Sequence, residues 1–281
     1  MKIAILTDST CNLTKEFKEK HENLFVVPLG ISIDEATYRD QVDITSKEVY
    51  DSLDNHKVKS SLPSASDIYN TIDDIIAKGY DKLFVITISS GLSGTYNAVR
   101  LITEEYDQID ITLYDSKVLA MGLGFMVMEA IRLIDKGMEL VNVIEKLNVL
   151  RYENMTTVYT LNTLKYLREG GRIGKVEGTI GDILRIKPII SVNDDGVYFT
   201  KAKARGNRRA ISKSIEILKE RYQDQKINVA VHYGNDLEKA QMFLERLKAT
   251  LNIHKGTIVE LTPVLGIHTG PGLIAAIAYT V

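Results

Sequence analysis

The chain has little of what would mark a specialised environment. Its 281 residues include no tryptophan, five prolines and a single cysteine, Cys11. One thiol forms no intramolecular disulfide and lacks the companions of a structural zinc site, so a reducing compartment, the cytoplasm, is expected. No charge of one sign dominates. The 35 lysines and arginines against 37 aspartates and glutamates leave a formal charge of −2, without the field of a nonspecific nucleic-acid binder or a membrane-surface protein. Long apolar runs are missing as well. The longest, Val118 to Met128, holds two glycines and stops at Glu129, well short of the roughly 20 residues that span a bilayer as a helix. It reads as a buried helix, and no stable membrane insertion is expected. The opening Met1-Lys2-Ile3-Ala4-Ile5-Leu6 reaches Asp8 without the basic and apolar regions of a signal peptide, so secretion is not expected.

What remains is ordinary globular composition, 44% hydrophobic and 26% charged, at a length that favours two domains. The first half alternates short apolar runs (Lys2–Thr7, Leu24–Leu29, Leu83–Ile88, Ile111–Tyr114) with amphipathic stretches such as Ile68–Lys78 and Tyr96–Tyr106. That rhythm predicts an α/β domain with a parallel sheet. Three of the strands run into polar loops, Asp8-Ser9-Thr10, Ser89 to Thr95, and Asp115-Ser116-Lys117, at the sheet edge where ligands bind in open parallel sheets. Helices are expected over Val118–Lys136 and Leu140–Arg151. The second half changes character. Asn193-Asp194-Asp195-Gly196 between two apolar runs predicts an antiparallel hairpin, followed by a helix from Arg208 to Tyr222, a strand Ile227–Tyr233, a helix Leu237–Leu251 and strands near Thr257–Leu261 and Leu273–Tyr279. This is a mixed-sheet α+β domain. The expected boundary gives domains 1–156 and 157–281, with a ligand between or beside them.

Six segments bear on chemistry. Ser89–Tyr96 places hydroxyls and backbone amides between a strand and a helix, a setting that favours anions; Ser93 either serves such a site or simply caps the helix. Gly91-Leu92-Ser93-Gly94-Thr95 departs from a nucleophile elbow, which needs glycine where Thr95 stands. In Gly266-Ile267-His268-Thr269-Gly270-Pro271-Gly272, three glycines and a proline frame His268 in what reads as a tight loop approaching a ligand. His21, His56, His232 and His254 lack that framing and read as ordinary surface or strand residues. Lys59 to Ser66 reads as a hydroxyl-rich turn with Ser64 or Ser66 as helix cap. Leu167 to Lys175 fails the Walker pattern at Glu169 and Val176. Gly122-Leu123-Gly124-Phe125-Met126-Val127 lacks the third glycine of a dinucleotide fingerprint, and no cofactor or metal is expected. The run Lys201 to Arg209 is a solvated charge cluster, able to dock a phosphorylated group or an acidic partner.

Together, Thr7-Asp8-Ser9-Thr10, Ser60-Ser61-Leu62-Pro63-Ser64, Ser89 to Tyr96, Gly170-Gly171-Arg172-Ile173 and His268-Thr269-Gly270-Pro271-Gly272 resemble the DegV family in order and spacing, over nearly the whole chain. The resemblance implies a bacterial fatty-acid-binding protein. In members called FakB, the bound acid is presented to a separate fatty acid kinase subunit. It further implies that the carboxylate meets Ser60, Ser61 and Ser93 with His268 close by, and that Arg205 and Arg172 serve phosphoryl transfer or partner docking. Here Ser60 stands where the family usually has threonine, and Leu62 where it has glutamine. The rival reading is a serine esterase or acyltransferase using Ser93, His268 as base, and Asp8 or Asp115 as acid.

Overall fold

The computed structural model describes residues 2–176 and 186–281. The N-terminal apolar run forms strand β1 (Ile3–Asp8), whose alternating side chains enter two different cores, Ala4 and Leu6 one and Ile5 the other. Strands β2 (Leu24–Val27), β3 (Gly30–Ile33), β4 (Ala36–Arg39), β5 (Val58–Ser61), β6 (Lys82–Thr87) and β7 (Asp110–Asp115) follow. Four of these make a parallel sheet in the order β2-β1-β6-β7. One face is covered by helices Ala65–Ala77 and Thr95–Thr103, which bury Ile68, Ile72 and Ile75 and Val99 and Ile102 at helical spacing. The helix Met121–Asp135 covers the other face through Leu123, Met126 and Val127.

The second sheet contains β8 (Met155–Thr160), β9 (Ile186–Val192), β10 (Tyr198–Arg205), β11 (Ile227–Tyr233), β12 (Ile253–Glu260) and β13 (Ile274–Thr280), in the order β10-β9-β8-β13-β11-β12. Only β11 and β12 run parallel; the other neighbours are antiparallel. The β9–β10 turn closes as its composition predicts, with Gly196 at φ 79° and the Val197 amide donating to Asn193 Oδ1 at 2.9 Å. Helices Asn207–Tyr222 and Leu237–Lys248 cover one face of this sheet. The other contributes Ala230, Ala275 and Ile277 to the same core as helix Met121–Asp135, and Phe125 of that helix lies with its ring centroid 4.8 Å from that of Tyr279. A buried helix thus separates two sheets. A second tie is Arg151, 5% exposed, whose guanidinium donates to the carbonyls of Lys117 and Asn193 at 2.8 and 2.7 Å.

Several expectations need correction. Residues 30–61 contain a third sheet, antiparallel in the order β4-β3-β5, that its four-residue strands did not announce. Ser60 and Ser61 therefore belong to a strand, while Ser64 caps the next helix by accepting from the Asp67 amide. The long buried helix starts at Met121, not Val118, because Ala120 holds φ 53° and ψ −145°. The helix from Leu140 ends at Asn148 and gives way to a π turn over Val149–Asn154. His268 does not lie in a loop but in the last turn of helix Pro263–Thr269.

Candidate functional site

A cavity of about 260 Å³ opens beyond the carboxyl ends of β1 and β6, the edge the strand-to-loop transitions pointed to. The loops there are locked from below by Asp8. Its carboxyl group accepts from the Thr10 amide at 3.0 Å, from Thr10 Oγ1 at 2.5 Å and from the Ile88 amide at 2.7 Å. Burial raises the Asp8 pKa, and these hydrogen bonds oppose the rise. Thr10 and Ile88, so fixed, both line the cavity.

The serine loop after β6 is equally constrained. Ser89 Oγ donates to the Gly196 carbonyl at 2.8 Å, and a Cβ on Gly91 would come within 2.8 Å of that same oxygen. Close apposition to the β9–β10 turn accounts for Gly91. Leu92 and Ser93 reach the cavity from this loop. Ser93 Oγ lies 2.8 Å from Thr95 Oγ1 and accepts from the Thr95 amide at 3.3 Å, so it also braces the start of helix Thr95–Thr103. The third loop of the sheet edge does not line the cavity. Asp115 there supports the serine loop from behind, accepting from the Ser90 amide at 3.1 Å.

The polar heart of the cavity joins distant parts of the chain. Ser60, from β5, places Oγ 2.7 Å from Nε2 of His268. Helix Pro263–Thr269 delivers His268 together with Val264 and Leu265, and its start is held by Asp40, which accepts from the Val264 amide at 2.9 Å. His268 Nδ1 is buried with no hydrogen-bond partner among the described residues, and it faces Gly170, where an added Cβ would lie 2.2 Å away. Desolvation, with a contribution from the Arg172 charge, lowers the His268 pKa from 6.5 to about 4, so the ring is neutral at physiological pH. Arg172 Nη1 donates to the Gly170 carbonyl at 2.7 Å and Nε to the Leu92 carbonyl at 3.2 Å. Its charge meets no carboxylate among the described residues.

Ser60, Ser61, Ser93, Arg172 and His268 therefore share one cavity, whereas Arg205 does not line it. Arg205 is exposed at the end of β10. The remaining wall is apolar, from Leu29, Leu62, Leu92, Leu119 and Leu265 with the ring of Tyr198. Leu119 alone represents the methionine- and glycine-rich run at the cavity; Met121 to Val127 is core. Cys11 is buried there as well, its thiol pushed up to about 12 by desolvation and hence protonated.

A hydrolytic triad is not assembled by these residues. His268 Nε2 engages Ser60 rather than Ser93, Nδ1 has no orienting carboxylate among the described residues, and Asp8 and Asp115 are committed elsewhere. The arrangement is instead a set of hydroxyls and one cation at the head of an apolar chamber. Sequence reasoning missed Tyr198 and the helical setting of His268. Thr262 followed by Pro263 carried the signal for the latter, since proline favours the first helical position.

Comparison with known proteins follows the same lines. A model of the DegV family, described as an uncharacterised protein, matches residues 2–281. A DegV domain-containing protein of Clostridium perfringens is 42% identical over 97% of this chain and 96% of its own. One from Clostridium acetobutylicum is 39% identical over 99% of each. Among solved structures, a fatty-acid-binding DegV family protein from Thermus thermophilus superposes with a TM-score of 0.92 at 27% identity, covering 100% of both chains. A stearic-acid-binding protein from Eubacterium ventriosum gives 0.86 at 29% identity, covering 100% of this chain and 98% of its own. The parallel-sheet α/β part and the mixed-sheet part match these structures throughout, and the chain belongs to the DegV family.

Proposed function

We propose that the cavity holds a long-chain fatty acid, with its carboxylate at Ser60, Ser61, Ser93, Arg172 and His268 and its chain against the leucine-rich wall. The observation that carries this reading is the segregation of the cavity into one polar end and an apolar remainder. If Nε2 of neutral His268 donates to Ser60 Oγ, the Ser60 hydroxyl proton is free to donate to a carboxylate. Ser61, Ser93 and the Arg172 charge supply what a buried carboxylate further requires. An acid of about 16 carbons removes about 15 methylene or methyl groups from water, on the order of 12 kcal/mol before ordering costs. The tail then dominates affinity and the head group sets orientation.

In this reading the chain is not itself an enzyme but the substrate-bearing partner of a separate cytoplasmic fatty acid kinase, in phospholipid metabolism. An oxygen of the held carboxylate attacks the terminal phosphorus of a nucleoside triphosphate on the partner. A phosphorus–oxygen bond forms to give the acyl phosphate, and the nucleoside diphosphate leaves. Arg205, exposed and outside the cavity, is a docking residue for that partner. We further propose that domains 1–156 and 157–281 hold the ligand between or beside them; the parallel sheet ends at Asp115 and the first strand of the mixed sheet begins at Met155, two residues ahead of the proposed second domain.

Native mass spectrometry of freshly purified protein tests the first claim. An added mass equal to a fatty acid, palmitate for example, is expected; protein that is empty and ignores added palmitate and oleate overturns it. A fluorophosphonate probe that labels Ser93 stoichiometrically would instead establish the esterase. For the kinase claim, Arg205→Ala should impair acid phosphorylation while acid binding persists; equal loss of both would remove Arg205 from a docking role.

A further inference from the structure

Behind the Ser60–His268 pair lies a second cavity, of about 410 Å³. Ser60, Arg172 and His268 line both, so these three side chains are a shared wall between an apolar inner chamber and an outer one. The outer chamber has a different chemistry. Among the described residues, Lys57 and Lys59 on either side of Val58 line it together with Arg172, against a single carboxylate, Glu169. Neither lysine ammonium has an ion-pair partner among the described residues, and His56, also at this wall, is held by Asp34 at 2.6 Å. Arg172 gives Nε and Nη1 to backbone carbonyls, and its charge meets no carboxylate among the described residues. Among the described residues, three cations and one anion therefore line one concave surface.

We infer that the outer cavity is a phosphate site, receiving a phosphoryl dianion directly beside the head group of the ligand in the inner chamber. A carboxylate is monovalent and is met from the inner side by hydroxyls. A phosphoryl dianion carries more charge and three acceptor oxygens, and it calls for several cationic donors, which the inner chamber lacks and the outer one has. The wall is thin enough in residues for one molecule to occupy both chambers, since Ser60 and His268 reach each of them. The identity of the inner ligand rests on the fatty-acid reading above; the outer site rests on its own charge and lining.

The test uses the full chain and its Lys57→Ala/Lys59→Ala double variant, whose altered residues are exposed and outside the inner cavity. Palmitate, hexadecyl phosphate and inorganic phosphate are titrated calorimetrically into each, the last into palmitate-loaded protein. The parent should bind hexadecyl phosphate and show saturable inorganic phosphate binding that weakens with salt. In the double variant, hexadecyl phosphate should bind roughly tenfold more weakly and inorganic phosphate binding should disappear, while palmitate affinity stays within about twofold. Loss of inorganic phosphate alone would assign the site to free phosphate, and loss for hexadecyl phosphate alone to a phosphorylated lipid head; each supports a phosphate site. Equal affinities of parent and variant for both phosphorylated probes overturn the inference, as does a parallel loss of palmitate. A parent that binds no palmitate sinks the fatty-acid reading instead, and inorganic phosphate titrated into the empty protein then decides the outer cavity.

Discussion

Ser60 Oγ and His268 Nε2 lie 2.7 Å apart although 208 residues separate them in the chain. The contact ties the small antiparallel sheet to the helix that precedes β13, and it sets the polar end of the cavity. Replacing Ser60 by alanine removes a hydroxyl donor but little buried volume. Fatty-acid affinity should fall about tenfold, the equivalent of one hydrogen bond to a charged group, while Ser60→Thr retains it. Displacement of a fluorescent fatty acid measures both; an alanine variant that binds like the parent removes Ser60 from the head-group site.

Two adjacent glycines separate binding from stability. Gly170 has an ordinary backbone conformation, but a Cβ there would press to 2.2 Å on His268 Nδ1. Gly170→Ala should therefore displace the imidazole and weaken fatty-acid binding. Gly171 lies at φ 69° with nothing within 4 Å of an added Cβ among the described residues, so Gly171→Ala should cost roughly 1 kcal/mol of stability through backbone strain alone. Thermal melts alongside ligand titrations check the pair, and the prediction fails if Gly170→Ala binds normally or if Gly171→Ala loses binding at unchanged stability.

The buried titratable groups give stability a pH dependence with opposing parts. Desolvation first, then the nearby Arg172 charge, lowers the His268 pKa from 6.5 to about 4, and desolvation lowers that of His232 equally. Between those values the unfolded chain takes up protons that the folded chain does not, so the histidine contribution is lost as pH falls from 6.5 toward 4. Desolvation raises Asp40 from 3.8 to about 6. Its contribution is fully present below 3.8 and is lost as pH rises through 6, the opposite slope in an overlapping window. Asp40→Asn, which keeps an acceptor for the Val264 amide, should remove that compensation. Urea unfolding between pH 4 and 7 should show a steeper acid loss of stability than in the parent; an unchanged slope would mean that Asp40 does not titrate in this range.

Much of the fold was legible because it obeys simple periodicities. β1, β6 and β7 are apolar runs that end in polar loops, and the hairpin at Asn193–Gly196 carries its own turn chemistry. What escaped is short or polar. β3, β4 and β5 have four residues each, and Lys57 to Ser61 has no apolar pattern to set a strand apart from a loop. Their pairing is decided by backbone hydrogen bonding and by neighbours distant in sequence. The same holds within the site. Hydroxyls and a histidine framed by glycine could be singled out residue by residue, and they do meet in one cavity. That His268 contacts Ser60 rather than Ser93, and that Arg172 faces both chambers, depends on where three separate elements pack.

Arg151 adds a thermodynamic corollary. Among the described residues, its guanidinium donates to carbonyls from the segment after β7 and from the β9–β10 turn. Prising the two sheets apart would take from this buried cation its acceptor at Asn193. Partial opening is thereby penalised, which couples the two sheets in unfolding.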